Sequence, residues 1–417
     1  GCTGSNQVFT ITVNPIPVLS TTLTPGAICS GTAFSYTPTS STTGATFAWS
    51  RAAVAGISEG ASSGAVSINE TLTNTTATPI NVTYVVVTSA NGCSNAGQNV
   101  VVTVNPIPVL SSTLTPAAIC SGATFSYTPT SLTTGSTFGW SRAAVGGITE
   151  VASSGSGAIN ETLTNTTSAP IAVTYVIVTS ANSCSNTPGQ NVVVVVEPVP
   201  SLVNPGNQVL CAGASTTAID FVTTGVGTQY NWTNTNSTIG LPLSGSGNIA
   251  SFTAVNTGTA PVTATITVTP VYNGCTGSNQ VFTITVNPIP VITNTALQLL
   301  STVCNGTTLN FLPTSNLDPA TTFTWTTSTA GSSFSGVSAS GSGTIADTPI
   351  NTGTTIGTVT YTITPQVSGC NGNPVNYVVT IFPTPTATAS NITICSGQSA
   401  VIAINANPNN VSGTTFS

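Results

Sequence analysis

The stretch NVTYVVVTSANGCSNAGQNVVVTV, residues 81–104, contains the local pattern that decides the fold. On either side of Asn91-Gly92, apolar residues alternate with threonine, serine and asparagine, and a period of two is typical of β-strands. Asn-Gly favours the left-handed backbone that a two-residue hairpin turn requires. The stretch therefore predicts a β-hairpin with Asn91-Gly92 in its turn.

This hairpin belongs to a repeat of about 91 residues. Two series of cysteines and one series of tryptophans recur at this spacing, and proline pairs such as NPIP at 14–17 mark the boundaries. The residues at 1–18 also return unchanged at 274–291. A fixed period indicates a tandem array. The first cysteine series is Cys29, Cys120, Cys211, Cys304 and Cys395, and the second is Cys2, Cys93, Cys184, Cys275 and Cys370.

The predicted array contains four whole repeats. We expect it to be a window into a longer array, so the missing initiator methionine says nothing about sorting. Residues 1–14 are expected to end a preceding repeat, and 383–417 to begin a following one. The whole repeats are predicted at 15–105 (repeat 1), 106–197 (repeat 2), 198–287 (repeat 3) and 288–382 (repeat 4).

Composition indicates an all-β chain. Only 2% of the residues are charged, lysine, histidine and methionine are absent, and threonine, serine, valine, glycine and asparagine dominate. Short strands between turn residues predict an antiparallel β-sandwich of about seven strands in each repeat, with Tyr36, Phe47 and Trp49 in the core. The net charge of −6 leaves no basic patch for nucleic acid. No apolar run is long enough to insert into a membrane.

The cysteines point to disulfides. Without histidine or a closely spaced CxxC pair, zinc is a poor explanation for ten cysteines, and disulfides imply an oxidising, extracellular compartment. The two series lie 64 to 66 residues apart inside a repeat, whereas the spacing across boundaries varies from 25 to 29. This regularity favours pairing within repeats. The expected disulfides are Cys29–Cys93, Cys120–Cys184, Cys211–Cys275 and Cys304–Cys370, with Cys2 and Cys395 left to partners beyond these residues.

Strand topology leaves a second pairing open. If the first cysteine of a repeat ends the first strand, it lies opposite the last hairpin, about 25–30 Å away. A disulfide requires Cα atoms within about 7 Å of each other. In that case the cysteine would reach the hairpin of the next repeat, and Cys29 would pair with Cys184 and Cys120 with Cys275.

Several short phrases recur together: ICSG, a tryptophan about twenty residues later, NGC and a closing TVNPIP. In this combination the sequence resembles the PKD-like and Ig-like repeats of large secreted adhesins from Bacteroidota-type bacteria. The resemblance implies an all-β tandem array of Ig/PKD-like antiparallel β-sandwich domains that serve adhesion, gliding or cell-surface structure. The chain departs from antibody-type domains, because its second cysteine follows a hairpin turn instead of lying inside a strand.

Residues suited to catalysis are scarce. Without histidine or lysine there is no Ser-His-Asp triad and no P-loop, and the eight acidic residues do not cluster as calcium ligands do. Glu59 and Glu70 could form a glycosidase-like carboxylate pair, but the pair recurs only in repeat 2, which favours exposed strand carboxylates. Arg51 and Arg142 are expected to be solvated and to pair loosely with Glu59 and Glu150, ligand binding being the alternative. The sequence predicts no catalytic, metal or cofactor site.

Threonine, serine and asparagine replace charge on the predicted strands, as in INETLTNTT at 68–76. Such a surface carries little like-charge repulsion. We expect it to pack against other copies or neighbouring repeats in a fibre or sheath, or to be covered by glycans. The predicted function is a structural and adhesive segment of a secreted cell-surface protein that forms a stalk or filament, without enzymatic activity. The alternative is an array of carbohydrate-binding modules, which would contact surface glycans through exposed aromatic rings.

Overall fold

A computed structural model describes residues 1, 3–223 and 227–406. These residues form two compact units. Unit 1 comprises Gly1–Pro200 with Tyr272–Cys275, and unit 2 comprises Ser201–Val271 with the residues from Thr276 onward. Repeats 1 and 2 therefore lie in unit 1, together with the turn of the last hairpin of repeat 3.

Repeat 1 is a two-layered β-sandwich. One sheet has the strand order β1-β8-β6-β3-β4, with β7 beside β6, and the other contains β2 and β5. Each layer buries one face, as alternating sequences require. The strands are β1 (Ile28–Cys29), β2 (Ala33–Tyr36), β3 (Thr46–Arg51), β4 (Ser62–Ala65), β5 (Ile68–Thr71), β6 (Ile80–Ala90), β7 (Cys93–Ser94) and β8 (Gln98–Asn105).

The predicted hairpin is confirmed. Strands β6 and β8 pair antiparallel, with Ile80 opposite Val104 and Val86 opposite Gln98. Asn91 and Gly92 lie between β6 and β7 with φ of 52° and 78°, the left-handed backbone of a type I′ turn. The turn therefore lies at the beginning of the last strand of the repeat.

Repeat 2 has the same arrangement, with a six-stranded sheet and a two-stranded sheet formed by β10 and β13. The close similarity of the first two repeats in sequence accounts for this. Its strands are β9 (Ile119–Cys120), β10 (Thr124–Tyr127), β11 (Thr137–Arg142), β12 (Ser153–Ser156), β13 (Ile159–Thr162), β14 (Ile171–Ala181), β15 (Cys184–Ser185) and β16 (Gln190–Glu197).

Repeats 3 and 4 keep the larger sheet. Repeat 3 contains β17 (Gln208–Cys211), β18 (Gln229–Asn234), the 3₁₀ helix Ser237–Ile239, β19 (Ser244–Ser246), β20 (Val262–Tyr272), β21 (Cys275–Thr276) and β22 (Gln280–Asn287). Repeat 4 contains β23 (Leu300–Cys304), β24 (Thr322–Ala330), β25 (Phe334–Ser335), β26 (Ser340–Ser342), β27 (Ile350–Asn351), β28 (Gly357–Val367), β29 (Cys370–Asn371) and β30 (Val375–Phe382). After repeat 4, β31 (Ala387–Ala389) pairs with β32 (Ile404–Ala406).

Within the described residues, each repeat contains one pair of strands that is parallel. The short strand β1 pairs parallel with β8, which places Cys29 beside Asn105. The equivalent strand in repeat 3 places Cys211 beside Asn287. The first cysteine of a repeat is thus held at the end of the last strand, whereas the hairpin turn lies at the beginning of that strand.

The predicted core is confirmed for Tyr36 and Trp49, which are buried, while Phe47 is half-buried at the edge of the same cluster. The Trp49 ring meets the ring of the fully buried Tyr84 edge-on, with 5.7 Å between centroids. Edge-to-face contact of this kind adds to the stability gained by burial. Within the part of the chain that the structure describes, no helix is long and apolar enough to cross a membrane.

Candidate functional site at the seams between repeats

Among the residues that the structure describes, three disulfides link successive repeats. The Cα atoms of the bonded cysteines are 5.5 to 5.6 Å apart, which is ordinary disulfide geometry. In each case the first cysteine of one repeat bonds to the hairpin cysteine of the next repeat. The disulfides are Cys29–Cys184, Cys120–Cys275 and Cys211–Cys370.

The prediction of pairing within repeats is therefore wrong, and the alternative pairing is confirmed. The physical reason is the parallel pairing of β1 with β8, because it places Cys29 at the end of an eight-residue strand whose beginning carries the hairpin. A strand of this length separates the two ends by about 25 Å. The rejected pairs are Cys29–Cys93, Cys120–Cys184, Cys211–Cys275 and Cys304–Cys370.

Not every cysteine of the two series is bonded. Among the described residues, Cys93, Cys304 and Cys395 have free thiols, and Cys304 and Cys395 are exposed. The expectation that Cys395 finds its partner beyond these residues stays a prediction. Cys2, for which the same was expected, lies outside the described residues.

We call the junction between two successive repeats a seam. At a seam, the boundary sequence holds the hairpin turn of the second repeat against the strand that carries the first cysteine of the first repeat. At the seam between repeats 1 and 2, the Asn105 side chain donates a hydrogen bond to the carbonyl of Asn182, at 3.2 Å. Pro106 and Pro108 of the boundary NPIP are buried. Because proline fixes its own φ, the linker has few alternative conformations. The seam thus combines a side-chain hydrogen bond, buried prolines and a disulfide.

Inside repeat 1, Arg51 is the centre of a cluster of buried polar groups. Its side chain is only 1% exposed, and its Nε donates to Glu70 Oε2 at 2.9 Å. Its other nitrogens donate to the backbone carbonyls of Glu59 and Gly60. The Tyr84 hydroxyl donates to the same Glu70 oxygen at 2.6 Å. The expectation of a solvated Arg51 paired with the Glu59 carboxylate is therefore wrong.

Repeat 2 reproduces this cluster. Arg142 donates to Glu161 at 2.9 Å and to the carbonyls of Glu150 and Val151, so its predicted pairing with the Glu150 carboxylate is also wrong. Alternation along β11 explains the burial, because Arg142 lies two residues after Trp140 and so faces the same side of the strand. This signal was present in the sequence and indicated burial.

Repeat 3 fills the same position with another donor. Asn234 stands two residues after Trp232, and its side-chain amide donates to the carbonyls of Leu241 at 2.9 Å and Asn236 at 3.0 Å. In repeat 4 the corresponding Thr327 donates to the carbonyl of Ser338 at 2.7 Å. In each repeat, the residue two positions after the tryptophan therefore donates hydrogen bonds to the segment that follows the strand containing that tryptophan.

The cluster around Arg51 lowers the pKa of the Glu70 carboxyl group. Partial burial acts to raise the pKa of Glu70, but hydrogen bonds from Arg51 and Tyr84 and the Arg51 charge outweigh it, so the pKa of Glu70 is lowered. Burial, together with the hydrogen bond to Glu70, raises the pKa of Tyr84 above its usual range. Glu70 is thus an ionised, structurally engaged carboxylate at neutral pH.

Glu59 has a different role. Its carboxylate accepts hydrogen bonds from the Thr73 backbone N–H and the Ser58 hydroxyl, each at 2.8 Å. Slight desolvation acts to raise its pKa, but these hydrogen bonds lower the pKa of Glu59 to about 2. The side chain thereby ties the loop after β3 to the segment after β5.

We expect Glu59 to make repeat 1 acid-sensitive. Since its folded pKa of about 2 lies below the unfolded value of about 4.3, the stability it contributes is complete above about pH 5 and is lost as pH falls towards 2. In urea unfolding of the full chain, Glu59→Gln should lower stability at pH 6 and have little effect near pH 2. An equal loss at both pH values would show that charge at this position is irrelevant.

The arrangement offers little for chemistry. The carboxylates of Glu59 and Glu70 are engaged by different hydrogen-bond partners. Trp49, Trp232 and Trp325 are buried and Trp140 is half-buried, so these rings form cores and not a carbohydrate platform. Within the described ranges, no group of three or more histidine, cysteine or acidic residues could hold a metal ion.

Comparison with known proteins gives one family. A family model described as PKD-like domain matches residues 26–108, 117–200 and 301–385, more than half of the chain. These matches fall on repeats 1, 2 and 4. No curated protein matches the chain.

Solved structures similar to the chain are tandem β-sandwich proteins of low identity. Sidekick-1 immunoglobulin domains 1–5 are 13% identical with a TM-score of 0.27, covering 90% of this chain and 80% of that one. An extracellular cadherin fragment of protocadherin gamma B7 is 12% identical with a TM-score of 0.31, covering 81% and 92%. The insect immune protein hemolin is 11% identical with a TM-score of 0.23, covering 89% and 100%. Likeness at this level carries no function to this chain.

Proposed function

Because the chain belongs to the PKD-like domain family, we propose that it is a structural and adhesive segment of a secreted bacterial cell-surface protein, with no enzymatic activity. Its role is that of a stalk or filament whose repeats are joined covalently to their neighbours. The observation that carries this proposal is the set of three disulfides between successive repeats. Such bonds persist in oxidising compartments, which supports an extracellular location.

The disulfides overlap along the chain. The first closes a loop over residues 29–184, the second over 120–275 and the third over 211–370. Each loop therefore begins before the previous one has ended. A tensile force applied at the chain ends passes through the disulfides and bypasses most of the polypeptide between the bonded cysteines.

This bypass limits how far the chain can lengthen. Unfolding inside the first or third loop adds no length, because the bonded cysteines stay together. Between Cys29 and Cys370, only residues 184–211 lie outside both of those loops, and they add at most about 90 Å when extended. Without disulfides, the residues from 29 to 370 could extend to roughly 1,100 Å. The disulfides thus suit a protein that must bear load without lengthening.

Single-molecule force spectroscopy tests this function. The full chain, held at its two ends, should show no unfolding step of a whole repeat while oxidised. After reduction, each repeat of about 91 residues should give a step of about 250–300 Å. Steps of that length in the oxidised chain would contradict the load-bearing role.

A matched variant locates the effect. In Cys211→Ser/Cys370→Ser the third loop is open while the first two remain closed. Force then passes through the polypeptide beyond Cys275, so the oxidised variant should regain the unfolding step of repeat 4. An oxidised variant that still lacks this step would show that the disulfides do not carry the force.

A further inference from the structure

One sequence occupies two different environments in this chain. The eight residues QVFTITVN stand at 7–14 and again at 280–287. At the second place they form β22, which pairs antiparallel with β20 and parallel with β17. At the first place they form no strand.

The difference in burial is large. Phe282, Ile284 and Val286 are at most 1% exposed in β22, whereas their counterparts Phe9, Ile11 and Val13 are 85 to 86% exposed. Alternating apolar side chains of this kind are buried only when the strand joins a sheet. The second environment shows what covers the strand, namely the two neighbouring strands and the core of a PKD-like sandwich.

We infer that residues 7–14 are the last strand of another PKD-like repeat, which supplies the equivalents of β20 and β17, and that a cysteine of that repeat bonds to Cys93. The inference rests on the family and on the seam geometry. It does not depend on the load-bearing function.

The segment already contacts repeat 1 as a seam does. The Asn14 side chain donates to the carbonyl of Asn91 in the hairpin turn, at 2.9 Å. At the seam between repeats 3 and 4, the identical position Asn287 donates to the carbonyl of Ser368, at 3.3 Å. The end of the exposed strand is therefore docked on repeat 1 in the same way as the end of a complete repeat.

The register predicts where the missing cysteine lies. Within a repeat, the parallel edge strand places its cysteine beside the last asparagine, as Cys211 lies beside Asn287. A strand paired in this way with residues 7–14 would place a cysteine beside Asn14. The thiol of Cys93 lies 3.9 Å from the Asn14 carbonyl oxygen and forms no disulfide, whereas the equivalent Cys370 forms a disulfide with Cys211.

Bond formation is an ordinary oxidation. Cys93 and the incoming cysteine each lose a proton and an electron as the S–S bond forms. In the test below, oxidised glutathione takes up the two electrons and two protons and leaves as two thiols through mixed-disulfide exchange.

A fusion tests the inference. A copy of residues 198–273 is placed directly before Gly1 of the full chain, so that the junction recreates the sequence of repeat 3. Cys2, Cys304 and Cys395 are changed to serine to remove other thiols, and the protein is refolded in a glutathione buffer. Peptide mapping without reduction should find both Cys93 and Cys370 linked to the peptide that contains Cys211, which is present in two identical copies, one for each partner. A free Cys93, or one linked to a mixture of cysteines, would overturn the inference.

Two substitutions in the fusion test the role of the strand. Phe9→Asp places a charge where the counterpart Phe282 is buried, and should reduce the linked fraction at least tenfold. Val8→Asp is the matched control, since its counterpart Val281 is 49% exposed, and should keep the link. Equal linkage in both variants would show that the bond forms without a docked strand, which would also overturn the inference.

Discussion

Replacing Arg51 with alanine is expected to lower the free energy of unfolding of repeat 1 by about 3–5 kcal/mol. The substitution leaves the Glu70 carboxylate without its ionic partner and three backbone carbonyls without the guanidinium donors. Breaking one side of a buried ion pair is costly because the remaining charge is no longer compensated. Hydrogen exchange of β6 peptides in the full chain, compared with β14 peptides of repeat 2, would localise the loss.

A double-mutant cycle makes this prediction specific. Arg51→Ala and Glu70→Gln should be coupled by about 0.5–3 kcal/mol, because the two side chains share one hydrogen-bonded cluster. The matched control is Arg142→Ala, which should have the same effect on repeat 2 and leave repeat 1 unchanged. A loss below about 1 kcal/mol for Arg51→Ala would be typical of an exposed ion pair and would contradict burial of the cluster.

The second large effect on stability is expected at the glycine that lies opposite each tryptophan on the neighbouring strand. Gly155 lies opposite Trp140 on β12, and a Cβ atom there would lie 2.5 Å from the indole Cζ2. The ring packs edge-on against Tyr175, with 5.9 Å between centroids. Gly155→Ala should therefore destabilise repeat 2 by about 1–3 kcal/mol, the usual cost of overpacking. This destabilisation should be detected as a loss of hydrogen-exchange protection in β14.

Gly139 provides the matched control. It precedes Trp140 on β11, a Cβ atom there meets nothing within 4 Å, and repeat 1 carries Ala48 at the same position. Gly139→Ala should leave repeat 2 unchanged or stabilise it by up to about 1 kcal/mol, because alanine has less backbone freedom in the unfolded chain. Equal destabilisation by both substitutions would contradict the close approach of the tryptophan.

The hairpin, the repeat length and the core tryptophans could be predicted from the sequence, because they depend on local alternation and on a fixed period. The burial of Arg51 could also have been predicted, since alternation along β3 places it on the same face as Trp49. The ion pair of Arg51 with Glu70 instead of Glu59 could not have been predicted, because Glu70 lies on β5 in the other sheet. That proximity depends on how the two layers pack.

The sequence left two disulfide pairings open, for a related reason. The 64-residue spacing of Cys29 and Cys93 favoured pairing within a repeat, but the 155-residue spacing of Cys29 and Cys184 is repeated by Cys120 and Cys275. The choice depends on the parallel pairing of β1 with β8, and β1 is only two residues long. So short a strand has no alternation from which its direction or partner could be predicted.

The most direct test of the account is to map the disulfides of the oxidised chain without reduction. Digestion with pepsin at low pH prevents exchange, and fragment spectra distinguish the peptide AICSGTAF at 27–34 from the isobaric AICSGATF at 118–125. We predict that the first is linked to Cys184 and the second to Cys275. Recovery of Cys29 linked to Cys93, and of Cys120 linked to Cys184, would contradict a chain of repeats joined by disulfides.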